Sequence, residues 1–163
     1  MTSSVVVLDA LAFAGLAAMM LWLAVKDIRE RRVPNKALGA LIVAWLIWRI
    51  VRCVASGQPI ADAALSMGGA LASALAVMLL LWLFASVYER ARRKPSMGAG
   101  DVKLISVLVL CMGARCTMLC LLVACIVGLL YSLPRAARRL GVDRGIPFAA
   151  CLACGTLAVP LLA

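Results

Sequence analysis

Apolar residues run almost unbroken over 5–25, 37–54 and 63–87, then from Val102 to Leu133, and again from Pro147 to the last residue. A helix needs about 20 such residues to cross a hydrocarbon core about 30 Å thick. These runs are apolar on all sides and not on one stripe, the pattern of helices that face lipid or lie deep in a bundle. The run from Val102 to Leu133 is too long for one ordinary crossing, and Gly113-Ala114-Arg115 interrupts it. Splitting it there predicts an all-α, polytopic membrane protein of six transmembrane helices. The expected spans are 5–25, 37–54, 63–87, 101–113, 116–133 and 147–163, forming a single transmembrane domain over 1–163 with no sizeable soluble part.

The polar links are short. Lys26 to Lys36 reads as a charged loop closed by a helix-breaking Pro34-Asn35 turn, and Ser56 to Asp62 reads as a turn around Gly57 and Pro59. Glu89 to Lys94 reads as a basic loop. Within the third span, Gly68-Gly69 and the neighbouring alanines predict a face for close helix contact. The segment before Val5 has no positive charge, and the first span is too long for the core of a cleaved signal, so it is expected to be retained.

Charge orients the bundle. Of the 17 Lys and Arg, 14 fall in the links after the first, third and fifth expected spans, counting Lys103; the other three are Arg49, Arg52 and Arg115. Short basic loops lie on the cytoplasmic side. Both termini are therefore expected on the outer side of the membrane. The formal net charge of +10 accordingly speaks for membrane orientation and lipid contact, with no nucleic acid as partner.

The chain has no histidine, which excludes His-based triads and nearly all zinc hydrolase sites. Seven cysteines lie in or beside apolar segments. Cys151-x-x-Cys154 has no second pair, so packing is the expected role. No cofactor and no metal are expected.

Two acids are placed where chemistry can use them. Asp101 stands in Gly98-Ala99-Gly100-Asp101-Val102-Lys103, at the mouth of an apolar run, and Asp27 follows the first span on the same expected face. A carboxylate next to hydrocarbon is costly and marks a site by default. Glycines let the chain turn tightly beside Asp101. The expected fourth span is about 18 Å long if it is helical from Asp101 to Met112, so Asp101 is expected in a recess below the surface. Two close carboxylates sharing one proton can act on water without a metal. The structural alternative is that Asp27 pairs with Lys26 or Arg31 and that Asp101 merely caps a helix.

Asp27-x6-Pro34-Asn35, followed about 70 residues later by Gly98-x-Gly100-Asp101-x-Lys103, resembles the prepilin peptidases, membrane aspartic proteases of the G-x-G-D type. Ile146-Pro147-Phe148 with Gly155 resembles the family's final span. The resemblance implies a peptidase that removes the basic leader from type IV pilin-like precursors at the cytoplasmic membrane face. Asp27 and Asp101 would be the catalytic pair, with Gly98, Gly100, Lys103, Pro34 and Asn35 as supporting motif residues. The match is to the short, Flp-type form. Longer members carry two C-x-x-C pairs after the first span and methylate the new N-terminus; the link from Lys26 to Lys36 has no cysteine, so no methyltransferase activity is expected. Two readings of other classes stand beside it: a membrane anchoring subunit of a secretion or pilus system, in which both aspartates are dispensable, and a small proton-coupled carrier, which would prefer its carboxylates at mid-membrane.

Overall fold

The computed structural model describes residues 3–30, 34–92, 98–137 and 148–162. Among them every regular element is a helix: α1 (Ser3–Glu30), α2 (Asn35–Ser56), α3 (Ile60–Arg92), α4 (Ala99–Ala137) and α5 (Phe148–Leu162). The first four are long and apolar enough to cross a membrane, and α5 is a shorter apolar helix. The chain is thus an all-α protein with candidate membrane spans.

Several boundaries differ from the sequence reading. Lys26 to Glu30 is helical and belongs to α1, and Glu89 to Arg92 is the last turn of α3. Charged residues continue a helix beyond the apolar run because the i to i−4 ladder needs no apolar side chains. Pro34 does close the link: its backbone is extended (φ −72°, ψ 129°), it caps α2, and its carbonyl accepts from the Ala37 and Leu38 amides. Gly57 ends α2 in the left-handed region (φ 63°), which glycine enters without a Cβ penalty.

The break expected over Gly113-Ala114-Arg115 narrows to one residue. Gly113 (φ 81°, ψ 164°) is the non-helical position in α4, and two helical arms, 99–112 and 114–137, meet there. That backbone region is essentially closed to residues with a Cβ. The Thr117 hydroxyl donates to the Gly113 carbonyl at 2.8 Å.

The arm that follows Asp101 is the centre of the bundle: Leu104 through Leu110 are all buried. Met20 and Leu23 of α1, Leu38 and Leu41 of α2, Cys120 and Ala124 of the second arm, and Leu152 of α5 close around it. Trp45, Ala74, Val109 and Leu110 form a second cluster toward α3. Only Ala74 of α3 is buried, while Leu79, Leu80, Trp82, Leu83 and Phe84 are exposed. In a bilayer these face lipid without penalty. The expectation of a close-contact face at Gly68-Gly69 is corrected: a Cβ at either would meet nothing within 4 Å. The close approach occurs at Gly155 of α5 instead, pressed against the Cys120 backbone.

Candidate active site

Asp27 lies on the last turn of α1 and Asp101 on the first turn of α4. Both are half-buried, and Asp27 acts electrostatically on Asp101. No Cα of α1 comes within 8 Å of one of α4, although Met20 and Leu23 of α1 reach the buried arm of α4, and both α2 and α5 pack against the two helices. Helices α2 and α5 therefore both help to fix where the end of α1 lies relative to the start of α4.

Each carboxylate is held by backbone. The Ala149 amide, in the first turn of α5, donates to Asp27 Oδ2 at 3.0 Å. The first amides of a helix have no partner within it, and the N-terminal end carries partial positive charge, so a carboxylate is a fitting acceptor there. Asp101 is held by its own helix start. The Gly98 backbone donates to its carboxylate, while the Gly98 carbonyl accepts from the Asp101 and Val102 amides at 3.0 and 3.3 Å. The Asp101 carboxylate thus supplies one half of a capping box, the bond back to the N-cap amide; glycine has no side chain to supply the other. A Cβ on Gly98 would stand 3.1 Å from Asp101 Oδ2, so the glycine allows the side chain to fold back closely.

Asp27 is not paired with Lys26, which pairs with Glu30 at 3.7 Å and lies over the Trp22 ring at 5.2 Å. Arg31 lies outside the described residues. Asp101 does cap its helix, and the Asp27 carboxylate acts on it electrostatically at the same time. The supporting motif residues divide. Gly98 shapes the Asp101 turn, and Gly100 is in the first turn of α4, half-buried. Lys103 is exposed. Pro34 and Asn35 begin α2, with Ala37 and Leu38 anchoring that end in the core. Ile146-Pro147 lies outside the described residues. Cys151 is buried and Cys154 exposed, and no group of three metal-ligating side chains occurs among the described residues.

The contribution of Ala149 was missed by sequence reasoning. The signal available was Pro147 just before an apolar run, which marks a helix start with free amides. Nothing in the sequence says which acid those amides face.

The profile of the type IV leader peptidase family matches residues 14–133, a range that includes Asp27, Pro34-Asn35 and the Gly98 to Lys103 turn but stops before α5. Comparison with curated proteins and with solved structures finds no match. A match across well over half of the chain, on an all-helical frame of membrane-spanning length, makes this protein a member of the type IV leader peptidase family.

Proposed function

We propose that the protein is an aspartic endopeptidase that removes the basic leader from type IV pilin-like precursors of the Flp class, with Asp27 and Asp101 as its catalytic pair. The observation that supports this reading is the electrostatic influence of Asp27 on Asp101, two half-buried carboxylates at the end of α1 and the start of α4. In the proposed reaction one carboxylate is ionised and the other protonated. The ionised group takes a proton from water as the water oxygen attacks the scissile carbonyl carbon. The protonated group donates to the carbonyl oxygen as it gains charge. Collapse of the tetrahedral intermediate breaks the C–N bond, and the proton taken from water passes to the leaving amine. Hydrogen bonds from Ala149 and Gly98 hold the carboxylates in place, which supports catalysis by orientation.

The same reading places the pair at the cytoplasmic face of the inner membrane, where the basic links of a six-span topology lie, and both termini in the periplasm. The apolar helix that follows a precursor's leader packs beside the enzyme in the bilayer and brings the cut site to headgroup level. With no cysteine-bearing insert after the first span, the enzyme cleaves without methylating. The carrier reading is less well supported, because both acids lie at helix ends.

The test is cleavage of a purified precursor by Asp27→Asn, Asp101→Asn and Glu30→Gln variants. Each Asn variant should lose cleavage while keeping wild-type helicity, and Glu30→Gln should keep most of it. Substantial cleavage by either Asn variant removes that residue from the pair.

A further inference from the structure

A second site lies at the other end of α1. Asp9 and Asp27 are 18 residues apart on one helix, about 27 Å at 1.5 Å per residue. That is close to the thickness of a hydrocarbon core, about 30 Å, so Asp9 stands at the headgroup level of the opposite leaflet. There a cavity of about 760 Å³ opens between α1, α2, the Gly113 region of α4 and the end of α5. Its polar rim is built from Asp9, Arg52 and Trp48, and its wall is apolar, with Leu16, Met19 and Leu41 running inward.

The rim is incompletely satisfied. Arg52 reaches across from α2 to Asp9 Oδ2 at 3.4 Å, and its guanidinium lies over the Trp48 ring at 5.3 Å. Asp9 Oδ1 and Trp48 Nε1 are shielded from water and have no hydrogen-bond partner. An unmet acceptor on a carboxylate and an unmet indole donor each cost free energy when buried. Together they ask for a ligand that offers an N–H or O–H to Asp9 and an acceptor oxygen to Trp48. Asp9 and Arg52 pair in charge, and Arg49, over the Trp48 ring at 5.8 Å, adds a second cation beside the rim on the Trp48 side.

We propose that this cavity binds one phospholipid with a zwitterionic, primary-amine headgroup of the phosphatidylethanolamine class, drawn from the leaflet opposite the aspartate pair. The ammonium donates to Asp9 Oδ1 once rotation of the carboxylate turns that oxygen from its covered position into the cavity. A phosphate oxygen accepts from Trp48 Nε1 and the Arg52 guanidinium, after a small rotation of the two side chains opens them to the cavity. One acyl chain follows the apolar wall toward Leu41. The Asp9 carboxylate at the rim favours an ammonium donor, which the quaternary choline and the glycerol headgroups both lack, while the arginines favour the phosphate. The volume falls within the roughly 300–1,000 Å³ of small-molecule sites. A crossing helix about 10 Å wide and 30 Å long fills about 2,400 Å³, so the cavity is too small to take the apolar helix of a protein substrate whole.

The test uses the full chain in mild detergent, stripped of lipid and then offered phosphatidylethanolamine, phosphatidylcholine or phosphatidylglycerol. Native mass spectrometry counts retained lipid, and thermal unfolding reads protection. One phosphatidylethanolamine per chain should be retained in preference to the other two and should raise the unfolding midpoint. Trp48→Phe keeps the ring and removes the donor, and Asp9→Asn removes the charge; each should lower retention at least tenfold. If Asp9→Asn does not fold, Trp48→Phe decides. Equal retention of the choline lipid, preference for the anionic lipid, or undiminished binding by a folded variant would overturn the proposal. None of these readouts involves cleavage, so they stand apart from the peptidase assignment.

Discussion

Gly155→Ala should loosen the α4–α5 interface, the largest of those that place α4 in the bundle. A methyl at Gly155 would fall inside contact distance of the Cys120 carbonyl oxygen, 2.9 Å from Cys120 Sγ and 3.0 Å from the Cys120 carbonyl carbon. Two of those three atoms are backbone, so the strain cannot be relieved by turning a side chain, and α5 must move off α4. The Cys120 thiol donates to the Leu152 carbonyl at 3.3 Å and meets the Thr156 hydroxyl at 3.5 Å, and separation weakens both. Overpacking of this kind costs about 1–3 kcal/mol. Ala149 lies six residues before Gly155 on α5, about 9 Å along the axis, so the displacement reaches the amide that holds Asp27. A 1 Å misplacement can cost about a hundredfold in rate. The assay pairs thermal unfolding in detergent with cleavage of a purified precursor. A lower midpoint and a cleavage loss of about tenfold to a hundredfold are expected. Cys120→Ala, which removes the Sγ contact and leaves the carbonyl, should not rescue the variant. An unchanged midpoint, or full rescue by Cys120→Ala, would refute the backbone-contact reasoning.

Three further outcomes follow from other positions. Gly98→Ala sets a methyl 3.1 Å from Asp101 Oδ2 and should lower kcat about tenfold with KM little changed, since the shift is smaller than the 1 Å that costs about a hundredfold; initial-rate kinetics checks it. Gly113→Ala places a Cβ at φ 81° and ψ 164° and should cost about 1–3 kcal/mol of stability, read as a fall in the unfolding midpoint. Because the proposed reaction needs one carboxylate protonated and one ionised, the pH profile of kcat/KM should fall on both sides of an optimum. Cleavage still rising at about pH 4, with the protein folded, would contradict a shared-proton pair.

The sequence by itself determined the helical class, the membrane-length apolar segments and the two acids worth watching. Those follow from local physics: an apolar run longer than the hydrocarbon is thick can satisfy its backbone only as a helix, and a carboxylate beside such a run stands out. The Pro34 cap and the Gly113 break were equally legible, because proline and glycine act through their own backbone. Tertiary structure decided the rest. Asp27 and Asp101 are 74 positions apart, and their electrostatic contact depends on how α2 and α5 pack against both α1 and α4, which no local pattern encodes. The close-packed glycine proved to be Gly155 and not the Gly68-Gly69 pair, because in lipid every helix face is equally apolar and only docking selects which small residues touch. The Ala149 amide is a backbone group that any residue could present. Its role exists only where the start of α5 is set against the end of α1.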